Sequence, residues 1–526
     1  PPPPPPPPPF FFQADAGIRE SSTSRGLGDV YKRQILFYFS AVNLNSQEKR
    51  PNILFIISDD QDAETLDVYA SNSCDTPVID NLSKSGISFT SAYHMGSYSA
   101  AVCTPSRIML MTGRNLWETD GYNINYPPKN YVHDFKKNYS EITLESPEYY
   151  SLPAIFKRAG YYTFRTSKRG NSFEGANLLF EERYDRTNRE GNDLNGNAWH
   201  AQRVIDFIQE RSNSSSEKKP FLIYLGFSHP HDPRRGKKNL LQKYGAQSPE
   251  IPKKLNNKLP TLPVNYLPNH PFPHGHQEVR DENLVEGVMT KRNEVVIRNE
   301  KGKDYACIED MDYQIGRVIE ELEISGEIDN TYIFFTSDHG IAIGKHGLIG
   351  KQNLYEHSWR IPLIVSGPKI KKNKKIKGNI YLSDILPTLC EIAEIDIPKT
   401  VDGKSFYSIL EGRRKKIRNV MYGVYSGGTK PGIRAIKKNK WKLIKYDVMN
   451  GNVQKNQLFN LKNNPNELII EHHREDVVEI TGNYPKNNQV NLADDPKFKK
   501  RLRKMEKLLF KKMEDFGDPY KFWNQD

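Results

Sequence analysis

The sequence predicts an α/β protein: a large, mostly parallel or mixed sheet sandwiched by helices, followed by a smaller C-terminal subdomain with an antiparallel sheet and a helix. Three observations carry this. From Pro51 onward, short apolar runs alternate with helical patterns, as strands covered on both faces by crossover helices do. Three of those runs end in polar clusters, where the strand ends of an open α/β sheet form a binding crevice. Beyond about Asn419 the texture changes to basic, alternating segments closed by a basic helical stretch.

In chain order, NILFIIS (52–58), FLIYLGF (221–227) and TYIFFTS (331–337) read as buried strands, with IPLIVSG (361–367) a shorter fourth. TPVIDNLSKSG (76–86), SLPAIFKRAG (151–160), AWHAQRVIDFIQERS (198–212) and ACIEDMDYQIGRVIEELEISG (306–326) read as helices between them. Residues 248–276 are Pro-rich and poorly periodic, a long surface loop or insertion. IRAIKKNKWKLIKYD (433–447) and NQLFNLKNNPNELI (456–469) read as strands and turns, and 495–517 as a basic amphipathic helix. The expected division is 1–34 an artefactual leader, 35–47 a signal-peptide remnant, 48–418 a catalytic domain and 419–526 the subdomain. The leader PPPPPPPPPFFF has no core pattern, and ILFYFSAVNLNSQ, apolar but too short to span a bilayer, reads as the remnant of a secretory signal, with a disordered lead-in as the alternative. Export to the periplasm or medium of a bacterium, without stable membrane insertion, follows as an expectation.

The 526 residues carry a formal charge of +12, which favours anionic partners without choosing among nucleic acid, lipid and polysaccharide. The basic charge is diffuse and no nucleic-acid recognition motif is visible, so no nucleic-acid partner is expected. Four scattered cysteines without CxxC pairs argue against a zinc ribbon or a disulfide scaffold. Cys307 and Cys390 sit in apolar helical patterns and read as buried thiols.

The chemistry gathers at the strand ends. NILFIIS runs into Asp59-Asp60, TYIFFTS into Asp338-His339, and FLIYLGF into Ser228-His229-Pro230-His231-Asp232. Adjacent carboxylates repel unless a cation lies between them. An oxygen-rich donor set suits Ca²⁺ or Mg²⁺ better than zinc. Each pair alone reads equally well as a helix N-cap; recurrence after two strands favours metal. In AVCTPSRIMLMTGR, Pro105 suits a first helical turn, which puts Cys103 at the positive end of a helix, where anions bind and thiols ionise. Arg107, one turn on, is a fixed cation able to grip an oxyanion or a carboxylate. The residues alone allow a nucleophilic or a structural thiol here.

CTPSR followed by TGR (112–114) resembles the signature of type I, formylglycine-dependent sulfatases, members of the alkaline phosphatase superfamily. PNILFIISDDQ, TPVIDNLSKSGISFTSAY, FFTSDHG, GKQNLYEHSWRIPLIVSGP and LSDILPTL are similar to successive blocks of that family, in its order, from Pro51 to the C-terminus. SHPHDPR and the Lys351 block look like those of bacterial polysaccharide-type sulfatases. The resemblance implies that Cys103 is the precursor of formylglycine, made by a formylglycine-generating or anaerobic sulfatase-maturating enzyme. It implies metal ligation, usually of Ca²⁺, by Asp59, Asp60, Cys103, Asp338 and His339. Arg107 then supports the aldehyde hydrate, and Lys168 and Lys351 hold the sulfate. His231 is the general acid, with His229 its runner-up. His229, His231, His346, Lys168 and Lys351 form the expected substrate contacts.

One departure stands out. The family's GKWH block has a histidine two residues after its lysine; here Gly170 follows Lys168 and Arg169. Asn171, His94 and His346 are the candidates to replace it. Arg234 and Arg235 read as entrance cations or as a solvated loop, the His274–His276 pair as a substrate loop, and 430–434 as a rim of the pocket. The resemblance implies a sulfuric ester hydrolase acting on sulfated carbohydrate or a small sulfate ester. The alternatives are a phosphate or phosphonate ester hydrolase of the same superfamily, or a non-catalytic binder of anionic glycans.

Overall fold

Strand β1 (Asn52–Ser58) is buried along its whole length. Its side chains alternate between two cores: Ile53, Phe55 and Ile57 point into one, Leu54 and Ile56 into the other. A strand with no wet face belongs in the middle of a helix-covered sheet, and β1 lies there. The computed structural model describes residues 50–70, 74–119, 146–192, 194–216, 218–273, 292–427 and 430–525. The leader, the 35–47 segment and residues 274–276 lie outside the described residues.

The main sheet joins β1 to β2 (Ile87–Tyr93), β4 (Tyr162–Ser167), β5 (Glu182–Asp185), β6 (Phe221–Gly226), β7 (Thr331–Ser337), β8 (Arg360–Ile361), β9 (Leu363–Ser366) and β10 (Lys374–Tyr381). The order is β10-β2-β9-β7-β1-β6-β4-β5, with β8 paired to β2. β1, β4, β5, β6 and β7 run parallel, and β9 runs against β7 and β2. β2 and β10 are again parallel to each other and so to β1. The sheet is thus mixed through β8 and β9. One face is covered by helices Cys103–Thr112, Leu152–Arg158 and Ile385–Ile392, the other by Pro77–Ser85, Asn197–Asn213 and Glu294–Ile324.

The last of these begins at Glu294, well upstream of the pattern that starts at Ala306. Its first turns are polar yet buried, because Glu300 and Asp304 pair with Arg234 at 3.3 and 3.2 Å. Arg234 is therefore neither an entrance cation nor part of a solvated loop: it is fully buried inside the fold. Arg235 is exposed and pairs with Glu190 at 2.6 Å.

A second sheet has the order β14-β13-β12-β11-β3, from β11 (Val420–Tyr425), β12 (Gly432–Lys438), β13 (Trp441–Val448), β14 (Val453–Asn460) and the short β3 (Gly96–Ser97). Its four late strands are antiparallel neighbours. Helix Lys499–Asp515 lays Met505, Leu509 and Met513, spaced by four, onto it. β3 pairs Gly96 and Ser97 with Val424 and Tyr425, so the second sheet is tied to the chain just before Cys103. All four cysteines are free and buried. Among the described residues no helix is long and apolar enough to cross a membrane.

Candidate active site

The carboxyl ends of β1 and β7 lie side by side, with Ser58 opposite Ser337. Asp59-Asp60 and Asp338-His339 therefore leave the sheet together, and all four are fully buried. Asp60 takes a left-handed backbone, φ +69°, uncommon for a non-glycine residue and a form of strain found at functional sites. Its N–H is held by Asp338 Oδ1 at 3.1 Å.

Helix Cys103–Thr112 points its first turn at this edge. Gly113, at φ +66°, ends it in the left-handed conformation, its N–H bonding to the Met109 carbonyl at 2.9 Å. Cys103 Sγ lies 3.1 Å from His339 Nε2, 3.6 Å from Lys351 Nζ and 3.7 Å from Asp60 Oδ1. Arg107, buried one turn on, donates from Nε to Asp338 Oδ2 at 3.0 Å, from Nη2 to Asp59 Oδ1 at 3.3 Å and from Nη1 to the Tyr224 hydroxyl at 3.3 Å.

β4 delivers the next cation. Lys168 follows its last residue and donates to Asp59 Oδ1 at 2.6 Å; Lys351 donates to Asp60 Oδ2 at 2.5 Å. Burial pushes both carboxyls up, but the surrounding cations win. Lys168, His231 and Arg107 hold Asp59 well below the usual carboxylate range, and His231, Lys351 and His339 do so for Asp60. Burial lowers His339, yet Asp338 and Asp60 push it up to about 9.

His231 comes from the end of β6. Its Nδ1 donates to the Asp232 backbone carbonyl at 2.8 Å and to Asp232 Oδ1 at 2.6 Å. This fixes the ring so that Nε2 faces Asp60 Oδ2, 3.8 Å away. Burial lowers its pKa, partly offset by Asp60. His231 Nε2 and Asp59 Oδ2 are buried with no hydrogen-bond partner. Ligand atoms of Asp60, Cys103, Asp338 and His339 lie within 4.8 Å of one another, as do those of Asp59, Asp60 and His231. Orphaned donors amid clustered carboxylate oxygens fit a hard divalent cation.

Two expected contacts stand apart. His346 stacks on Tyr355 at 3.8 Å between centroids; Nδ1 meets His357 at 3.3 Å and Nε2 the Glu467 carbonyl at 3.0 Å. Its ring serves packing between the two sheets. His229 spends Nε2 on the Arg189 carbonyl at 3.1 Å, and burial brings its pKa down to about 4. Gly170 sits in an exposed turn at φ +79° with open space where a Cβ would be. Asn171 is exposed too. His94 packs edge-on to His339, but its Nε2 donates to the Ser358 carbonyl at 2.9 Å and burial lowers its pKa to about 3. Arg434 is buried, its Nη2 donating to Asp518 Oδ1 at 3.0 Å.

The reading of the residues missed two groups. Asp232, which orients His231, was legible as its chain neighbour. Arg189 had no signal: it sits in the loop after β5, with Nη2 3.9 Å from Asp59 Oδ2.

A sulfatase family profile matches residues 51–395, and an N-sulphoglucosamine sulphohydrolase C-terminal profile matches 344–507. The chain is 27% identical over 512 residues to an uncharacterized sulfatase of Escherichia coli, covering 90% of this chain and 89% of that protein. It is 25% identical over 520 residues to an arylsulfatase of Clostridium perfringens, covering 90% and 96%. Its fold is similar to that of a protein solved in complex with its substrate D-glucosamine-2-N,6-O-disulfate: TM-score 0.65, 19% identity, 89% of this chain and 99% of that one. A phosphonate monoester hydrolase of Silicibacter pomeroyi shares the fold at TM-score 0.64 and 16% identity, covering 88% and 95%. With the family profile spanning most of the chain, and its blocks falling on the strand ends that converge at Cys103, the protein belongs to the sulfatase family and is a sulfuric ester hydrolase.

Proposed function

We propose that this hydrolase cleaves sulfate esters of sulfated carbohydrates outside the cytoplasm, using a formylglycine made from Cys103 and a divalent cation, Ca²⁺ before Mg²⁺. The observation that carries this is Cys103 at a helix N-terminus, ringed by His339, Lys351 and Asp60, with Arg107 behind. When present, the aldehyde hydrate supplies the hydroxyl that attacks sulfur, and the cation neutralises charge on sulfate oxygens.

The chain's own residues do the rest. Asp59, Asp60, Asp338 and His339 hold the cation. Arg107 fixes two of those carboxylates in place. Lys168 and Lys351 bind the anion and the charge that develops on it, in a buried site where such interactions count most. His231, steadied by Asp232, gives a proton to the leaving alcohol oxygen; a bound anion beside it favours the imidazolium. The segment at 35–47 supports export, and 48–418 and 419–526 act as catalytic domain and bordering subdomain. The solved neighbour's disulfated glucosamine supports carbohydrate as substrate.

The test is sulfate release from a panel of sulfated oligosaccharides and aryl sulfates by protein co-expressed with a maturing enzyme. The Cys103 peptide is checked by mass for the aldehyde, and Cys103→Ala runs alongside. Release abolished in the variant establishes the reading. Faster turnover of matched phosphonate esters would move it to the chemistry of the other structural neighbour.

A further inference from the structure

A groove of about 620 Å³ opens between β10 and the β12–β13 turn, lined by Lys377, Lys440, Trp441, Lys462 and Arg501 with Lys437 at its base. Among the described residues no acidic side chain lines it. Lys437 is neutralised by Glu356, 2.8 Å away. The other four cations make no ion pair among the described residues, and Lys377, Lys440 and Lys462 are exposed. The Arg501 guanidinium lies over the Trp441 ring, 5.0 Å from its centroid. The ring holds the planar donor fork in place, ready for bidentate contact with an oxyanion.

The fold gathers more charge beside it. Arg413 is taken up by Glu411, 2.6 Å away, while the run Arg414–Lys416 packs along β10, with the Lys415 carbonyl accepting from Gly378 N–H at 3.1 Å and Lys416 bridging Gly378. Two basic segments far apart in sequence, 371–377 and 414–416, thus form one exposed surface beside the groove.

Its place is far from Cys103. β10 pairs Lys374 with Ile87 and Tyr381 with Tyr93, and the active site lies at the Tyr93 end. The second sheet agrees: Tyr425 faces β3, whereas Val420, Lys438 and Trp441 lie at the other end. The five strand steps from Tyr425 to Val420 put the groove about 16 Å from the catalytic edge.

We infer that this groove is a second, non-catalytic binding site for a sulfated saccharide chain, one that anchors a polymer while its sulfate esters are cut elsewhere. Uncompensated cations take the sulfates, and the Trp441 ring steadies the Arg501 fork that meets them. The choice of sulfated saccharide over other polyanions rests on the proposed activity.

The test measures binding of short fluorescein-labelled dextran sulfate to full-length Cys103→Ala protein, so that turnover plays no part. Lys440→Glu/Lys462→Glu, at two exposed positions, should weaken binding by about tenfold or more; Trp441→Ala should also weaken it. Unsulfated dextran should not bind, and oligothymidylate of matched charge should bind more weakly. In mature enzyme the double variant should leave turnover of a small aryl sulfate unchanged. Unaltered dextran sulfate affinity in the folded double variant overturns the inference. Equal or tighter binding of oligothymidylate, lost in the same variant, overturns it in favour of a nucleic-acid face. Absence of sulfate release by mature wild-type enzyme bears on the proposed activity alone, since the binding arm needs no catalysis.

Discussion

Arg107→Met removes the guanidinium that bridges Asp59 and Asp338 while keeping much of the side chain's length. The loss is concentrated at Asp338. Asp59 still has Lys168 at 2.6 Å, but Asp338 keeps only backbone N–H donors and the His339 ring at 3.6 Å. Stripping a partner from a fully buried ion pair costs about 3–5 kcal/mol, roughly a factor of 10²–10⁴ in the unfolding equilibrium. Urea unfolding followed by tryptophan fluorescence in calcium-free buffer should show that loss. Saturating Ca²⁺ should recover more stability in the variant than in wild type, because a cation among the carboxylates replaces the missing charge. Sulfate-ester turnover should fall by about 10²–10³ at saturating Ca²⁺. A variant whose stability lies within about 1 kcal/mol of wild type without calcium would refute the assignment of Arg107 as the clamp.

His231→Gln should slow sulfate release from a sugar alcohol by about 10²–10⁴ and from 4-nitrophenyl sulfate far less, since a good leaving group needs no proton; equal losses on both would leave His231 a positioning residue. Dialysis against EDTA should lower the melting temperature and abolish turnover, with Ca²⁺ restoring both. Restoration by Zn²⁺ and not by Ca²⁺ would contradict the oxygen-donor reading. Asp304 is pushed by burial from 3.8 up to about 7, with Arg234 offsetting only part. Between about pH 4 and pH 7 the folded chain holds a proton that the unfolded chain has released, so this group's stabilising contribution is lost as pH rises through 7. Asp304→Asn should therefore gain on wild type across that window by up to about 4 kcal/mol, read from urea unfolding at successive pH values; a difference constant with pH would rule this out.

The parts of the fold visible in the sequence were those with uniform hydrophobicity. β1, β6 and β7 are buried on both faces, and their apolar runs announce it. β2 and β4 carry Ser, Thr and Arg at mostly buried positions, so their pattern looks like loop; in β4, Thr163, Arg165 and Thr166 find partners in Glu181, Asp185 and His200. β10 has three lysines in its exposed half, and only its pairing with β2 makes it a strand. The polar opening of helix Glu294–Ile324 hides for the same reason: Glu300 and Asp304 are buried by virtue of Arg234, a partner distant in sequence. The site was legible where chemistry is packed into a short motif next to a strand, as with Asp59-Asp60, Asp338-His339 and Cys103. His346 misled because a histidine near a motif looks the same whether it faces a pocket or stacks on Tyr355.

The exchange at the end of β4 follows from the backbone. Lys168 stays in the site because the strand delivers it, and it is buried against Asp59. The chain then turns outward through Gly170, leaving Arg169, Gly170 and Asn171 in solvent, so no side chain at these positions lies beside Cys103. His94 spends Nε2 on the Ser358 carbonyl, and His346 spends Nε2 on the Glu467 carbonyl and Nδ1 on His357. The neighbouring strand β5 fills the gap instead, since its loop carries Arg189 to Asp59 Oδ2 while Nη1 donates to the Asp232 carbonyl at 2.5 Å. That double contact ties the carboxylate pair on β1 to the loop that orients His231. A guanidinium cannot take up a proton at working pH, so Arg189 is no substitute base for the histidine of the GKWH block. What it adds is positive charge beside Asp59, and under the proposed mechanism release of sulfate would lean on electrostatics where the family's block places a histidine.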